Sequence, residues 1–90
     1  MVMMGMDPDV VENIGVNLNN QASSIQQVIT AINGLISQAE ANWKGADSDG
    51  FRDLWQGQYQ SQLTTMQNAI NELGNTAKTQ AMEQRSASGA

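Results

Sequence analysis

The tripeptide Trp43-Lys44-Gly45 lies near the midpoint of the 90-residue chain, between two long stretches in which apolar residues recur at helical spacing. This is the only place at which the helical spacing of the two stretches is interrupted. We expect Gly45 to take the left-handed conformation that closes a helix C-terminus without a Cβ penalty. Trp43 is expected to cover the end where the two helices meet. The sequence therefore predicts an all-α chain, a helix-turn-helix hairpin of two long antiparallel helices.

The first helix is predicted from about Pro8 to Asn42. Asp7 is a competent N-cap, Pro8 suits the first helical position, and Asp9 favours the positive end of the helix dipole. Gly15 and Gly34 lie inside this helix and indicate either a close approach of helices or a weak spot. Apolar residues form three heptad columns: Val11, Leu18, Ile25, Ile32 and Ala39; Ile14, Val28 and Leu35, interrupted by Gln21; and Ala22, Ile29, Ile36 and Trp43.

A turn over residues 43–49 and a second helix over about residues 50–84 are predicted next. Asp47, Ser48 and Asp49 are all competent N-caps, and the sequence does not decide among them. Gly57 and Gly74 are soft points at which the helix could fray, the latter after Leu73, and residues 85–90 are expected to be a disordered tail. One apolar face of the second helix is predicted at steps of three and four: Phe51, Trp55, Tyr59, Leu63, Met66, Ile70, Leu73 and Ala77.

The three columns of the first helix make an apolar stripe wider than a single partner helix covers. A chain this small has little core in reserve, and a lone hairpin would leave much of the stripe in water. Pairing two hairpins into a four-helix bundle buries it, so we expect a dimer. The expected core and dimer interface comprises Val11, Ile14, Leu18, Ile25, Val28, Ile29, Ile32, Leu35, Ile36, Tyr59, Leu63, Met66, Ile70 and Leu73.

The composition argues against several classes of function. The chain has no cysteine and no histidine, which removes thiolate ligands, the commonest metal ligand and the usual general base. Nine acidic and four basic residues give a net charge of −5, which argues against a nucleic-acid partner. A net acidic surface is also the wrong sign for adsorption to anionic lipid. We therefore expect no enzyme, cofactor, metal site or membrane activity.

Charged residues around the turn admit a second interpretation, which we weigh as weaker. Asp47-Ser48-Asp49-Gly50 resembles the start of a calcium loop, but Phe51 and Gln58 stand where oxygen ligands are needed. Arg52 with Asp53, and Glu40 with Lys44, are expected to be ion pairs on the helix surface. Neither the Asp47–Gly50 segment nor these charged pairs are expected to be catalytic.

The apolar start is too short for a signal-peptide core, and it lacks the basic n-region of a signal peptide. It comprises Met1-Val2-Met3-Met4-Gly5-Met6. No run approaches the roughly 18 apolar residues that span a bilayer. Any export is therefore expected to proceed without a cleavable general secretory signal.

With its central Trp43-x-Gly45, Asp47 two residues later, Phe51 and then Trp55, the chain resembles the WXG100 family over essentially its whole length. A bare W-x-G is weak, but its place at the middle of a cysteine-free pair of amphipathic helices makes the resemblance specific. It implies a hairpin that dimerises with itself or a WXG100-like paralogue. It further implies export of the folded dimer from the cytoplasm by a type VII (ESX) secretion system.

One departure from the family pattern concerns the export signal. Many exported members carry Tyr-x-x-x-Asp/Glu after the second helix, where the secretion ATPase reads it. Tyr59 is followed four residues later by Leu63, and Glu83 is preceded by Thr79. The resemblance therefore implies either that a partner's tail supplies the signal or that the chain is a cytosolic adaptor. Such an adaptor or chaperone would pair with the helical N-terminal segment of a larger substrate, such as a toxin.

Overall fold

The structure is a computed structural model that describes residues 5–87. It has three α-helices and a π-helical segment in the order α1 (Pro8–Asn42), α2 (Ala46–Leu54), the π segment (Trp55–Tyr59) and α3 (Gln60–Ala87). The backbone is helical without a break from Ala46 to Ala87. The predicted all-α helix-turn-helix class is confirmed, and dimerisation stays a prediction. The apolar start at residues 1–4 lies outside the described residues.

Helix α1 begins where its capping residue predicts. The Asp7 carboxylate accepts the backbone N–H of Asp9 at 3.0 Å and that of Val10 at 3.4 Å, and the Asp7 carbonyl accepts the N–H of Val11. These bonds use N–H groups that have no partner inside the helix. The N-cap prediction is therefore confirmed.

Helix α2 starts four residues earlier than expected, at Ala46. Its N-cap is Gly45, whose carbonyl accepts the N–H of Asp49 at 3.1 Å. Asp47, Ser48 and Asp49 lie in the first turn instead of before it, so the prediction that one of them caps the helix is wrong. The connection shrinks to residues 43–45, and Gly45 in it has a positive φ.

The predicted apolar face of the second helix is half covered by the chain's own packing, and its role as an interface stays a prediction. A π turn holds an extra residue, and the three successive steps of four from Phe51 to Leu63 are where this residue is taken up. Trp55 is buried and Leu63, Ile70 and Ala77 are half-buried, all on the inner side. The outer residues are exposed: Phe51, Tyr59, Met66 and Leu73.

Contacts divide the chain into two compact units. Unit 1 is Met1–Ala22 with Asn68–Ala90, and unit 2 is Ser23–Gln67. Unit 2 is a helical hairpin in which Ile29, Ile36 and Trp55 are buried, with Ile25, Ile32 and Leu63 packed against them. The single domain expected over residues 1–90 stays a prediction.

Unit 1 packs the start of α1 antiparallel to the end of α3 through small residues. A Cβ placed on Gly74 would lie 2.7 Å from the Gly15 carbonyl oxygen, so the two backbones touch. Ala22 and Ala81 are also buried. Since Gly74 is held in this contact, α3 does not fray after Leu73, and that prediction is wrong.

The end of α3 is fixed by charge. Arg85 donates to Asp9 and to Glu12 of α1, each at 2.7 Å. The helix consequently runs to Ala87, so the disordered tail expected from residue 85 is wrong for 85–87. Residues 88–90 lie outside the described residues.

Candidate functional site

The turn of unit 2 combines a glycine at positive φ with two aromatic rings. Gly45 has φ 121° and ψ −179°, a region open in practice only to glycine. This is positive φ, as expected, but not the left-handed helical cap that the sequence predicts. The last turn of α1 is closed by side chains instead: Lys44 Nζ donates to the Glu40 carbonyl and Asn42 Nδ2 to the Gln38 carbonyl, each at 2.9 Å.

Trp43 is held at this turn but not enclosed by it. Its ring packs on Phe51 with centroids 5.3 Å apart and planes tilted by 47°. The Trp43 side chain nevertheless remains 42% exposed, and Phe51 is similarly exposed. The tryptophan of the turn thus presents an aromatic surface to solvent.

Trp55 has the opposite role. It is 7% exposed and forms the centre of unit 2 with Ile29 and Ile36. Its Nε1 donates to Asn33 Oδ1 at 2.8 Å, which satisfies the indole N–H inside a largely apolar environment. The sequence analysis missed Asn33, and no periodic pattern marks it.

An apolar recess of about 190 Å³ opens beside Trp55. Its wall includes the half-exposed side chains of Leu54, just before the π segment, and Tyr59, at its end. Only apolar atoms line it, so it offers no hydrogen bond that would orient a polar ligand. It has the character of a contact surface for apolar side chains. Its lining is Ile32, Ile36, Phe51, Leu54, Trp55 and Tyr59.

The charged side chains around the turn interact with residues close to them in the sequence. Arg52 lies 3.3 Å from Asp53 and 3.6 Å from Asp49, all at the surface of α2. The expected Glu40–Lys44 ion pair is replaced by the bond from Lys44 to the Glu40 backbone carbonyl. Asp47 is exposed. Across residues 5–87, no three acidic side chains come close enough to hold a metal ion.

The three columns of α1 have three different environments. The first of them, Val11 to Ala39, is half-buried. Ala22, Ile29 and Ile36 of the third are buried, and Gly15 extends this column by one heptad. The remaining column is uncovered: Ile14, Val28 and Leu35 are 50%, 48% and 60% exposed.

The interface residues expected on the second helix also divide into half-buried and exposed ones. Leu63 and Ile70 are half-buried, whereas the outer column of the second helical half is exposed. Within residues 5–87, no helix is long and apolar enough to cross a membrane. The exposed residues of both helical halves form an apolar surface of the isolated chain.

Unit 1 contains a polar cluster that the sequence analysis also missed. Asn19 Nδ2 donates to the Asn71 Oδ1 at 2.7 Å, to the Asn71 carbonyl at 3.1 Å and to Asn75 Oδ1 at 3.2 Å. The Asn19 Oδ1 atom is buried without a hydrogen-bond partner. No local sequence pattern marks Asn19, because its partners lie more than 50 residues further along the chain.

Arg85 carries the one clear electrostatic perturbation among the described residues. Hydrogen bonds to Asp9 and then Glu12 raise the pKa of its guanidinium. The group stays charged under any ordinary condition and ties α3 to the start of α1.

Comparison with known proteins gives one result. A family model described as "WXG100: Proteins of 100 residues with WXG" matches residues 3–87. No curated protein and no solved structure matches the chain.

Proposed function

This chain belongs to the WXG100 family, and we propose that it acts without catalysis, as one hairpin of a dimer exported by a type VII secretion system. Membership makes it a small helical protein associated with type VII secretion. The partner is a second copy or a WXG100-like paralogue. Export through this system starts from the cytoplasm.

The uncovered column of α1 carries this proposal. Ile14, Val28 and Leu35 are 50%, 48% and 60% exposed, and they lie at heptad positions, interrupted by Gln21, along one side of a 35-residue helix. Exposing such a row to water is unfavourable by about 25 cal/mol for each Å² of apolar surface. A partner helix that covers the row recovers this free energy, as in a four-helix bundle.

The first test is light scattering on size-exclusion chromatography, with circular dichroism on the same fractions. We expect a helical species at twice the chain mass, either alone or when mixed with a paralogue encoded nearby. A helical monomer that associates with neither would contradict the dimer module.

Trp43 is proposed as part of the surface that the secretion ATPase recognises. Its exposure beside Phe51 supports this role, because a tryptophan needed only for packing would be covered. We expect Trp43→Arg to abolish export while the purified dimer stays intact, and Gly45→Trp to disturb the turn itself. Undiminished secretion of Trp43→Arg would argue against recognition through this residue.

The second candidate is a cytosolic adaptor or chaperone for a larger type VII substrate. It is favoured by the place of Tyr59, which lies in the π segment, four residues before the half-buried Leu63. Glu83 in α3 has Thr79 four residues before it, so the family's tail signal does not occur there. A neighbouring gene for a long toxin-like protein, and co-purification of that protein with this chain, would support the adaptor.

A further inference from the structure

An open groove of about 380 Å³ runs along the end of α3 beside the start of α1. We call it the unit-1 groove, because all of its lining residues belong to unit 1. None of them belongs to the expected dimer interface or to the turn. The lining comprises Glu12 from α1 and Asn75, Lys78, Thr79, Met82 and Arg85 from α3.

Lys78 supplies an unpaired positive charge to this groove. Among residues 5–87, it is the one basic side chain without an ion pair or a hydrogen bond, although the chain has nine acidic residues. It is half-buried, and its stem lies over Gly15, where a Cβ would come within 2.6 Å of Lys78 Cγ. Packing of the stem places the ammonium group at the groove without a counter-ion.

Two neighbouring polar groups add hydrogen-bond donors to the Lys78 end of the groove. Asn75 Oδ1 accepts from Asn19 Nδ2 at 3.2 Å, so the amide N–H groups of Asn75 remain for an acceptor in the groove. Thr79 adds an exposed hydroxyl. An ammonium, an amide N–H and a hydroxyl together suit a carboxylate, because a carboxylate accepts hydrogen bonds and donates none.

The other end of the groove has the opposite charge. There the Arg85 guanidinium donates to Asp9 and to Glu12, each at 2.7 Å, and one cation facing two carboxylates leaves a net negative charge. Between the two ends, Met82 is 64% exposed and offers a flexible apolar surface. From Lys78 to Arg85 the groove thus changes from positive through apolar to negative over about 10 Å of α3.

We propose that the unit-1 groove docks a helix of another protein that carries an acidic, an apolar and a basic residue at successive turns. The acidic side chain pairs with Lys78 and Asn75, and the apolar side chain covers Met82. The basic side chain lies beside Glu12, where the net charge is negative. This inference goes beyond the proposed function, because it requires neither the dimer nor export.

The helical form of the partner follows from the spacing of the groove. Lys78, Met82 and Arg85 are four and three residues apart, so they follow one another along one face of α3. A helix lying along α3 presents its own residues at the same spacing, as in other helix-in-groove complexes. The acidic, apolar and basic residues of the partner therefore also stand four and three positions apart.

The test uses the purified full chain, labelled for NMR, and a synthetic helical peptide. The peptide is alanine- and glutamine-based, about 18 residues long and blocked at both ends, with Glu-x-x-x-Leu-x-x-Lys at its centre. We expect amide shifts at Lys78 and Met82 and a Kd below about 1 mM. A control peptide with Gln in place of Glu should bind about tenfold more weakly, because it loses the charge-assisted hydrogen bonds.

Variants of the chain test each contact. Lys78→Met keeps an unbranched stem over Gly15, and it should bind the Glu peptide about tenfold more weakly and no longer distinguish it from the Gln peptide. Lys44→Met is the control, because Lys44 bonds to the Glu40 carbonyl in unit 2 and its loss should not change peptide affinity. Met82→Gln should weaken both peptides by the same factor, because it removes the apolar contact alone.

The outcomes decide between this inference and its alternatives. Equal affinity for the Glu and Gln peptides overturns it, as does undiminished binding by a folded Lys78→Met chain. Absence of shifts in the groove at about 1 mM Glu peptide also overturns it. If wild type associates with itself and Lys78→Met does not, the groove takes a second copy and the inference is wrong.

The peptide comparison on the wild-type chain decides even if Lys78→Met fails to fold. It also keeps this inference apart from the proposed function. A chain that binds the Glu peptide selectively but forms no dimer loses the proposed function and keeps the groove. A chain that dimerises but does not distinguish the two peptides keeps the proposed function and loses the groove.

Discussion

The indole Nε1 of Trp55 donates a 2.8 Å hydrogen bond to Asn33 Oδ1, which joins the π segment to the middle of α1. Trp55 also belongs to the buried apolar cluster with Ile29 and Ile36. One side chain thus supplies apolar burial and a directional bond that fixes how α1 and the π segment align in unit 2.

Removing the acceptor should destabilise the chain. Asn33→Ala leaves the Trp55 N–H buried without a partner, and we expect it to lower the free energy of unfolding by about 1–3 kcal/mol. Urea denaturation at fixed chain concentration measures this. Asn13→Ala, at an exposed position of α1, should stay within about 0.5 kcal/mol of wild type. In a Trp55→Phe background the cost of Asn33→Ala should shrink, and an equal cost would argue against the bond.

Gly45 should not tolerate a side chain. Because φ 121° with ψ −179° is open in practice only to glycine, Gly45→Ala should cost about 1–3 kcal/mol of unfolding free energy. Gly34→Ala is the matched control, since nothing lies within 4 Å of its Cβ position inside α1. It should stabilise the chain by up to about 1 kcal/mol. Equal effects of the two changes would refute the strained turn.

Contact between Gly15 and Gly74 predicts a local effect in unit 1. A Cβ on Gly74 would lie 2.7 Å from the Gly15 carbonyl oxygen and 2.8 Å from Asn19 Nδ2, so Gly74→Ala must separate the two backbones. We expect a loss of about 1–3 kcal/mol and faster amide exchange at Ala22 and Ala81. Gly50→Ala, with nothing within 4 Å, should leave exchange at these two amides unchanged.

The ion pairs of Arg85 predict that the stability of the last turns of α3 depends on salt concentration but not on pH near neutrality. Because its pKa is raised, the charged form contributes at every pH below the unfolded-state value and is lost only as pH rises through the raised one. A titration over roughly pH 6 to 9 should leave its contribution unchanged. Arg85→Gln should speed amide exchange in the last turns of α3, and added salt should do the same to wild type.

Arg52→Gln is the control for this prediction. Its carboxylate partners, Asp49 and Asp53, lie on its own helix, so exchange in α3 should not change. If Arg85→Gln exchanges like wild type, the ion pairs do not hold the end of α3.

Local chemistry predicted some elements well and others poorly. Asp7-Pro8 marks the start of α1 because capping depends on neighbouring residues alone. The apolar spacing of α1 also separates into columns, but spacing cannot say which column a partner helix covers. That depends on close packing, which places Ile29 inside and leaves Leu35 outside.

Burial in the second half of the chain was harder to predict for the same physical reason. The run of three steps of four from Phe51 to Leu63 would drift around a regular α-helix, and the π turn takes up the extra residue. Spacing alone does not say that Trp55 lies inside while Tyr59 lies outside, because burial depends on packing against α1. Asn19 and Asn33 act through partners far along the chain, Asn71 and Trp55, and no local pattern identifies such pairs.

The position of the buried Trp55 cluster also bears on the order in which the chain folds. Asn33 and Trp55 are 22 residues apart, whereas Arg85 and Asp9 are 76 apart. Closing the shorter loop costs less entropy, so contacts near the turn form first and those at the chain ends follow. Substitutions at Trp55 should then slow folding, while Gly74→Ala should mainly speed unfolding. The turn that joins the helices is thus also where folding begins.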